Sequence, residues 1–170
     1  LVAKNNAKRI NSISKLPKFF PEFITRQLKY SDTDYIYGLT RPNNRIPVAK
    51  KPTLNFLNFG WGGAVTCTAI QVALYMGFKE IYLLGVDNSF KYATNNVHKN
   101  HLVGAGESNH FHPEYRPVGE TWNPPYEKIT NEHFIMLKKL SESIGSKIIN
   151  CTRGGAVEVF NRVNLDDILS

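Results

Sequence analysis

Four of the five histidines in this 170-residue chain fall in one polar stretch: His98, His101, His110 and His112. Imidazole takes up and releases a proton more readily near neutral pH than any other side chain. The run Ser108-Asn109-His110-Phe111-His112 sets two imidazoles almost side by side, with Glu107, Asn109 and Glu114 as candidate orienting groups. A general base is the simplest functional reading. His98-x-x-His101 with His110 or His112 also holds enough nitrogens for a metal, although no metal signature is matched and no cysteine joins them. The third reading is a solvated loop, which is preferred for His98 and His101. His133 falls inside a predicted helix and reads as structural.

Upstream, Gly60, Gly62 and Gly63 form a turn that opens an apolar helix. Such a turn lets the backbone come close to a ligand. The helix start then offers unpaired N–H groups and a positive dipole end to an anion, phosphate or carboxylate, and Thr66 can add a hydroxyl. The pattern is neither G-x-G-x-x-G nor a P-loop, and tight helix–strand packing explains it equally well. Asp87 closes a predicted strand. It suits a ribose hydroxyl, the orientation of a histidine, or the capping of a turn through Asn88 and Ser89, with capping and ligand roles weighing the same. Asp32-Thr33-Asp34 is a literal Asp-x-Asp, a pattern that holds a divalent metal in some glycosyltransferases. Three residues match by chance too often for a metal to be assigned.

The elements that position these groups follow from periodicity. Lys4 to Ser14 suits a short polar helix, and Phe19, Phe20, Phe23 and Ile24 an apolar cluster that packs on the domain's core, or else serves as a lid or a membrane-surface contact. Residues 31–53 read as loop, broken at Pro42, Pro47 and Pro52. A short strand is expected from Leu54 to Asn58. A helix is expected from about Ala64 to Met76, with Val65, Ala69, Val72, Ala73 and Met76 as its inner face and Gly77 as its C′ residue. Strand Glu80–Leu84 follows. Residues 88–124 show no clear period, and a loop of that length is usually functional or mobile. A helix from about Pro125 to Ile144, with Ile129, Phe134, Leu137 and Leu140 inside, leads to a strand at Lys147–Cys151 and a short helix at Leu165–Leu169. This order predicts an α/β fold, a mainly parallel sheet flanked by helices. Few strands precede Gly60, so only part of a sheet is expected. Residues 1–53 form a basic lid or linker and residues 54–170 the α/β half-domain.

Composition narrows the class. Size and hydrophobic content suit a folded domain. No apolar run approaches the ~20 residues of a bilayer span. Cys67 and Cys151 read as two buried thiols, consistent with a reducing, cytoplasmic setting. Residues 1–51 carry 11 Lys/Arg against 3 Asp/Glu, a net of +8, while the remainder nets −1. The basic third suits an anionic partner, including the inner face of a membrane. Nucleic acid is not expected, because no RNA-binding aromatic signature, zinc finger or repeat is present.

The run GGAVTCTAIQVALYMGFKEIYLLGVDNSF, then SNHFHPEY, then KIINCTRGGAVEVFNRVNLDDIL, resembles the bacterial family that includes the motility accessory factor proteins and many polysaccharide-locus proteins. It is more distantly similar to the bacterial lipo-oligosaccharide sialyltransferases and to archaeal 6-hydroxymethyl-dihydropterin pyrophosphokinases. The resemblance covers residues 54–169, and ALYMGFKEIYLLGVD is its most specific part. It implies a Rossmann-like domain, with this chain as the C-terminal half of a larger one, and a glycosyltransferase of surface polysaccharide synthesis that moves a nonulosonic acid from a CMP-sugar to a glycan acceptor hydroxyl. It implies no resident cofactor or metal. Gly62 and Gly63 match the helix start that faces the donor, although Gly62 stands where the sialyltransferases carry a hydroxyl. Thr66, Asp87, Ser89 and Asn109 belong to the same donor-binding set. Tyr92 is the one tyrosine near the position of those that hold the leaving phosphate. The Ser-Asn-His-Phe-His run matches the segment of the catalytic histidine, with His112 first and His110 second. The pterin resemblance instead implies ATP and Mg²⁺, with Asp87 and Glu107 as carboxylates. A non-catalytic nucleotide-sugar-binding module is the third alternative, and a second copy of the chain is a further candidate partner.

Overall fold

The computed structural model describes residues 6–42, 48–91, 97–98, 101–106, 109 and 118–170. Among these the chain is mixed α/β, with four α-helices and four small sheets. In chain order the elements are α1 (Ala7–Ser12), β1 (Phe19–Pro21), a 3-10 helix (Glu22–Gln27), β2 (Tyr35–Tyr37), β3 (Leu39–Thr40), β4 (Phe59–Gly60), α2 (Val65–Tyr75) and β5 (Glu80–Leu83). There follow β6 (Val97–His98), β7 (His101–Val103), β8 (Thr121–Trp122), α3 (Glu127–Ser143), β9 (Lys147–Asn150), β10 (Asn161–Arg162) and α4 (Leu165–Leu169). Three sheets are parallel: β1 with β2, β3 with β4, and β10-β9-β5. The fourth, β6-β7-β8, is antiparallel.

The stretch 31–53, expected as loop, contains β2 and β3. Tyr35-Ile36-Tyr37 is a short run of residues that favour strands, and three residues are too few to show a period. Pairing supplies the order instead: β2 lies on β1, and the next residues lie on β4. Gly38 N–H donates to Phe56 O (3.1 Å) and Phe59 N–H to Gly38 O (3.0 Å). Four strands are thus complete by Gly60, more than expected. The strand expected at Leu54–Asn58 is a turn. The Asn55 side chain accepts from Leu57 N–H (3.0 Å), and Thr53 Oγ1 accepts from Asn55 N–H (3.1 Å). Such local side-chain bonds compete with a ladder. The stretch 88–124 likewise holds β6, β7 and β8, each too short to read.

Helix α2 has the expected extent but the opposite face inward. Cys67, Ile70, Gln71 and Leu74 are buried, whereas Val65 is 79% and Met76 57% exposed. Apolar residues occupy nearly the whole circumference of this helix, so periodicity fixes its existence and not its phase. In α3, Phe134 and Leu137 are buried as expected. The core joins these helices to the β5–β9 sheet through Cys67, Ile70, Leu74, Leu83, Phe134, Leu137, Ile148, Val157 and Phe160. The Phe134 and Phe160 rings meet edge to face at 5.4 Å. Both cysteines are buried free thiols. Among the described residues no helix is long and apolar enough to cross a membrane.

Candidate functional site

The parallel strands β5 and β9 end together, with Leu83 of β5 opposite Asn150 of β9. Beyond β5 the chain turns sharply, with Gly85 at φ 68° and Asn88 at φ 45°. Asn88 is the one non-glycine residue with positive φ among those described, a conformation asparagine tolerates better than most. Between them Asp87 is exposed, and its Oδ1 accepts from Ser89 N–H at 3.3 Å. The turn-capping role is therefore realised, and a second carboxylate oxygen remains for another partner.

The loop after β9 supports this turn from behind. Val86 N–H donates to Thr152 Oγ1 (3.0 Å), and Ala156 N–H donates to Asp87 O (2.7 Å). A Cβ on Gly155, at φ 84°, would lie 2.6 Å from Asp87 Cα, so only glycine permits the approach. Arg162 in turn holds the supporting loop. Its guanidinium donates to Thr152 O (2.5 Å), Gly154 O (2.8 Å) and Val157 O (3.2 Å) and pairs with Glu158 at 2.6 Å. On the other side, the Asn109 amide clamps Lys91 by accepting from its N–H (2.6 Å) and donating to its O (2.8 Å).

The turn forms one wall of a cavity of about 570 Å³, a size that suits a small-molecule ligand. Residues 85–90 and Asn109 line it, opposite Ala64 and Thr66 at the start of α2 and Thr130 and Phe134 of α3. Ala64 is the N-cap of α2 and gives no side-chain cap, and the first turn of α2 contains no acidic residue. Its leading N–H groups are thus not taken by a side-chain cap. The described lining combines hydroxyls, amides and one carboxylate, with no cationic side chain. It can accept hydrogen bonds from a polyhydroxyl ligand through Asp87, and it offers the helix start to a negative group.

Of the residues singled out in the sequence, the structure brings Thr66, Asp87, Ser89 and Asn109 to this cavity. Tyr92, His110, His112, Glu107 and Glu114 lie outside the described residues. His98 and His101 are register partners in β6 and β7, and His101 is exposed. Gly62 and Gly63 are not in the described lining; they are packed beneath α3. A Cβ on Gly62 would strike the His133 ring and lie 2.7 Å from Cys67 Sγ. One on Gly63, at φ 83°, would lie 2.9 Å from Tyr126 Cβ. Close packing of α3 on the start of α2 accounts for both glycines. Gly62→Ala is therefore expected to cost ~1–3 kcal/mol by overpacking, read as a lower urea midpoint.

His133 is fully buried, and neither ring nitrogen has a partner of hydrogen-bonding geometry. Burial draws its pKa from 6.5 down to about 4, against a weak opposite pull from the carbonyls of Gly60 and Lys50. Burial also pushes the Cys67 thiol up to about 12, which leaves it unreactive. The Asp-x-Asp carboxylate Asp34 is occupied by the protein. It accepts from Ser31 N–H (2.9 Å) and Lys18 N–H (3.1 Å) and pairs with the Lys18 ammonium at 3.0 Å. Desolvation raises its pKa, but these hydrogen bonds together outweigh that and hold it below the usual value.

Sequence reasoning missed Thr130, Phe134 and Asn88 as cavity residues, and Thr152, Gly155 and Arg162 as supports. An asparagine directly after a strand-ending aspartate was a usable signal for Asn88. Arg162 gave none, because its three carbonyl partners come from a loop with no pattern. No protein-family model, curated protein or solved structure matches the chain.

Proposed function

We propose that this chain is the Rossmann-like donor-binding part of a cytoplasmic glycosyltransferase of surface polysaccharide synthesis. It transfers a nonulosonic acid from a CMP-sugar to a glycan hydroxyl without a metal. The observation that carries the reading is the cavity between the first turn of α2 and the Asp87 turn at the carboxyl end of β5. Parallel α/β sheets bind nucleotides at such strand ends. The phosphate of CMP faces the start of α2, and Asp87 accepts hydrogen bonds from hydroxyls of the ribose or sugar. His112, with His110 in reserve, takes the proton of the acceptor hydroxyl as that oxygen bonds the anomeric carbon. The bond from this carbon to the phosphate oxygen breaks, and CMP leaves with the electron pair. Tyr92 steadies the departing phosphate.

Thermal unfolding with CMP, GTP or ATP, each with and without Mg²⁺, tests the reading. A hundredfold excess of CMP over its Kd stabilises by ~2.7 kcal/mol, a rise of roughly 5–10 °C for a domain of this size. Asp87→Ala is expected to remove most of that rise, and His112→Ala to lower transfer ~10²–10⁴-fold while leaving the rise intact. A response to ATP only with Mg²⁺ would replace this reading with diphosphate transfer to a pterin alcohol. No response to CMP would overturn donor binding by this cavity.

A further inference from the structure

We propose that the surface formed by residues 8–35 is a contact for an anionic membrane. It goes beyond the transferase reading and does not depend on it.

Four bonds draw this stretch together. Asn11, in the last turn of α1, accepts from Lys29 N–H at 3.1 Å. The Lys18 ammonium donates to Ile13 O at 2.9 Å and pairs with the Asp34 carboxylate at 3.0 Å. Tyr35 N–H donates to Lys18 O at 2.7 Å, which starts the β1–β2 pairing. These bonds bring the segments that carry Ile13, Phe19, Lys29-Tyr30 and Tyr35 together, and Leu16 lies in the link between Ile13 and Phe19.

Two properties coincide there. Large apolar side chains stand in solvent: Leu16 is 66% exposed, Tyr30 58% and Tyr35 52%, with Ile13 and Phe19 also exposed. Between them stand the exposed cations Lys8, Arg9, Lys15 and Lys29. Lys18 is spent on Asp34 and serves only to fix the frame. An exposed aliphatic residue beside an exposed lysine, as Leu16 is beside Lys15, gains nothing from water. At a lipid interface it buries its side chain while the ammonium meets the headgroups. Tyrosine suits the same boundary, with a ring in the apolar layer and a hydroxyl in the polar one. A nucleic acid would use aromatic faces for base stacking. Here Phe19 and Tyr35 are stacked on each other, with centroids 5.0 Å apart, and the aliphatic tips would gain no partner.

The test is co-sedimentation of the whole chain with vesicles of phosphatidylcholine alone and of phosphatidylcholine with an equal part of phosphatidylglycerol. Binding is expected only to the mixed vesicles, weakening as salt rises. Each lysine replaced by glutamine lowers binding ~5-fold, so Lys8→Gln, Lys15→Gln and Lys29→Gln together lower it ~100-fold. Leu16→Ser, at an exposed position, lowers it ~10-fold. Equal binding to both vesicles, no binding to either, or indifference to the lysines would overturn the proposal. An unchanged Leu16→Ser would overturn insertion of the apolar tips. Displacement from the vesicles by a mixed-sequence oligonucleotide would assign the surface to nucleic acid instead.

Discussion

Replacing Gln71 by methionine is expected to lower the stability of the domain by ~3–5 kcal/mol, among the larger effects a single substitution produces. Gln71 is fully buried in the middle of α2, and its amide uses both ends. The nitrogen donates to Gly60 O (2.9 Å) and Cys67 O (3.1 Å), and the oxygen accepts from Gly60 N–H (2.9 Å) and Thr53 N–H (3.1 Å). The side chain thus acts as an extra piece of strand against β4 and ties the segment before it to the helix after it. Methionine keeps the length and apolar bulk. What is lost is the pairing of the buried Gly60 N–H and C=O, each costing ~1–3 kcal/mol when left without a partner, and of the part-buried Thr53 N–H. Urea unfolding reads the change as a lower midpoint at constant slope. A loss below about 1 kcal/mol would show that water or a backbone shift replaces the amide.

Gln71 also shows where a sequence ceases to be legible. Its polarity assigns it to the outer face of α2, and Val65, Ala69, Val72 and Met76 then fill the inner one. The helix buries the other side because one amide satisfies four backbone groups there, three of them outside the helix, a gain visible only when β4 is in place. Elements with strong local signals were readable: α2 and α3 from length and apolar content, and β5 between Gly77 and Gly85. Elements of two to four residues were not, because their order comes from partners distant in the chain. The carboxyl end of β5 was legible as the place where the singled-out residues gather, since Thr66, Asp87, Ser89 and Asn109 line one cavity there. The glycine turn was ambiguous for a physical reason. Close approach of a ligand and close approach of a helix both forbid a Cβ, and here α3 makes the approach.

The second large effect is a loss of stability in acid that disappears with His133. The ring is fully buried and lacks hydrogen-bond partners, and burial lowers its pKa from 6.5 to about 4. An unfolded chain therefore binds a proton at this residue below about pH 6.5, and the folded one only below about pH 4. Between those values the unfolded state holds more protons, so stability falls as pH falls. The contribution is complete above the upper value and gone below the lower one, a difference on the order of 3 kcal/mol. Asp34 acts in the same direction further down. Its folded pKa is depressed, so its contribution is present above the ordinary carboxylate value and is lost as pH falls through the folded one. That loss is common to the parent and to a His133→Leu variant, and it cancels in their difference. The variant is expected to match or exceed the parent at neutral pH, because two unpaired buried nitrogens are gone. It should then gain ~3 kcal/mol on the parent between about pH 6.5 and pH 4, measured by urea unfolding at each pH. Parallel pH profiles would show that the folded ring is reached by solvent. The position gives the effect a consequence at the cavity. Thr130 and Phe134 of α3 line it, and His133, between them in sequence, packs on Gly62 just before α2. A proton forced onto this ring places an unpaired charge between α3 and the start of α2, so acid should loosen the cavity wall before the β5–β9 sheet gives way.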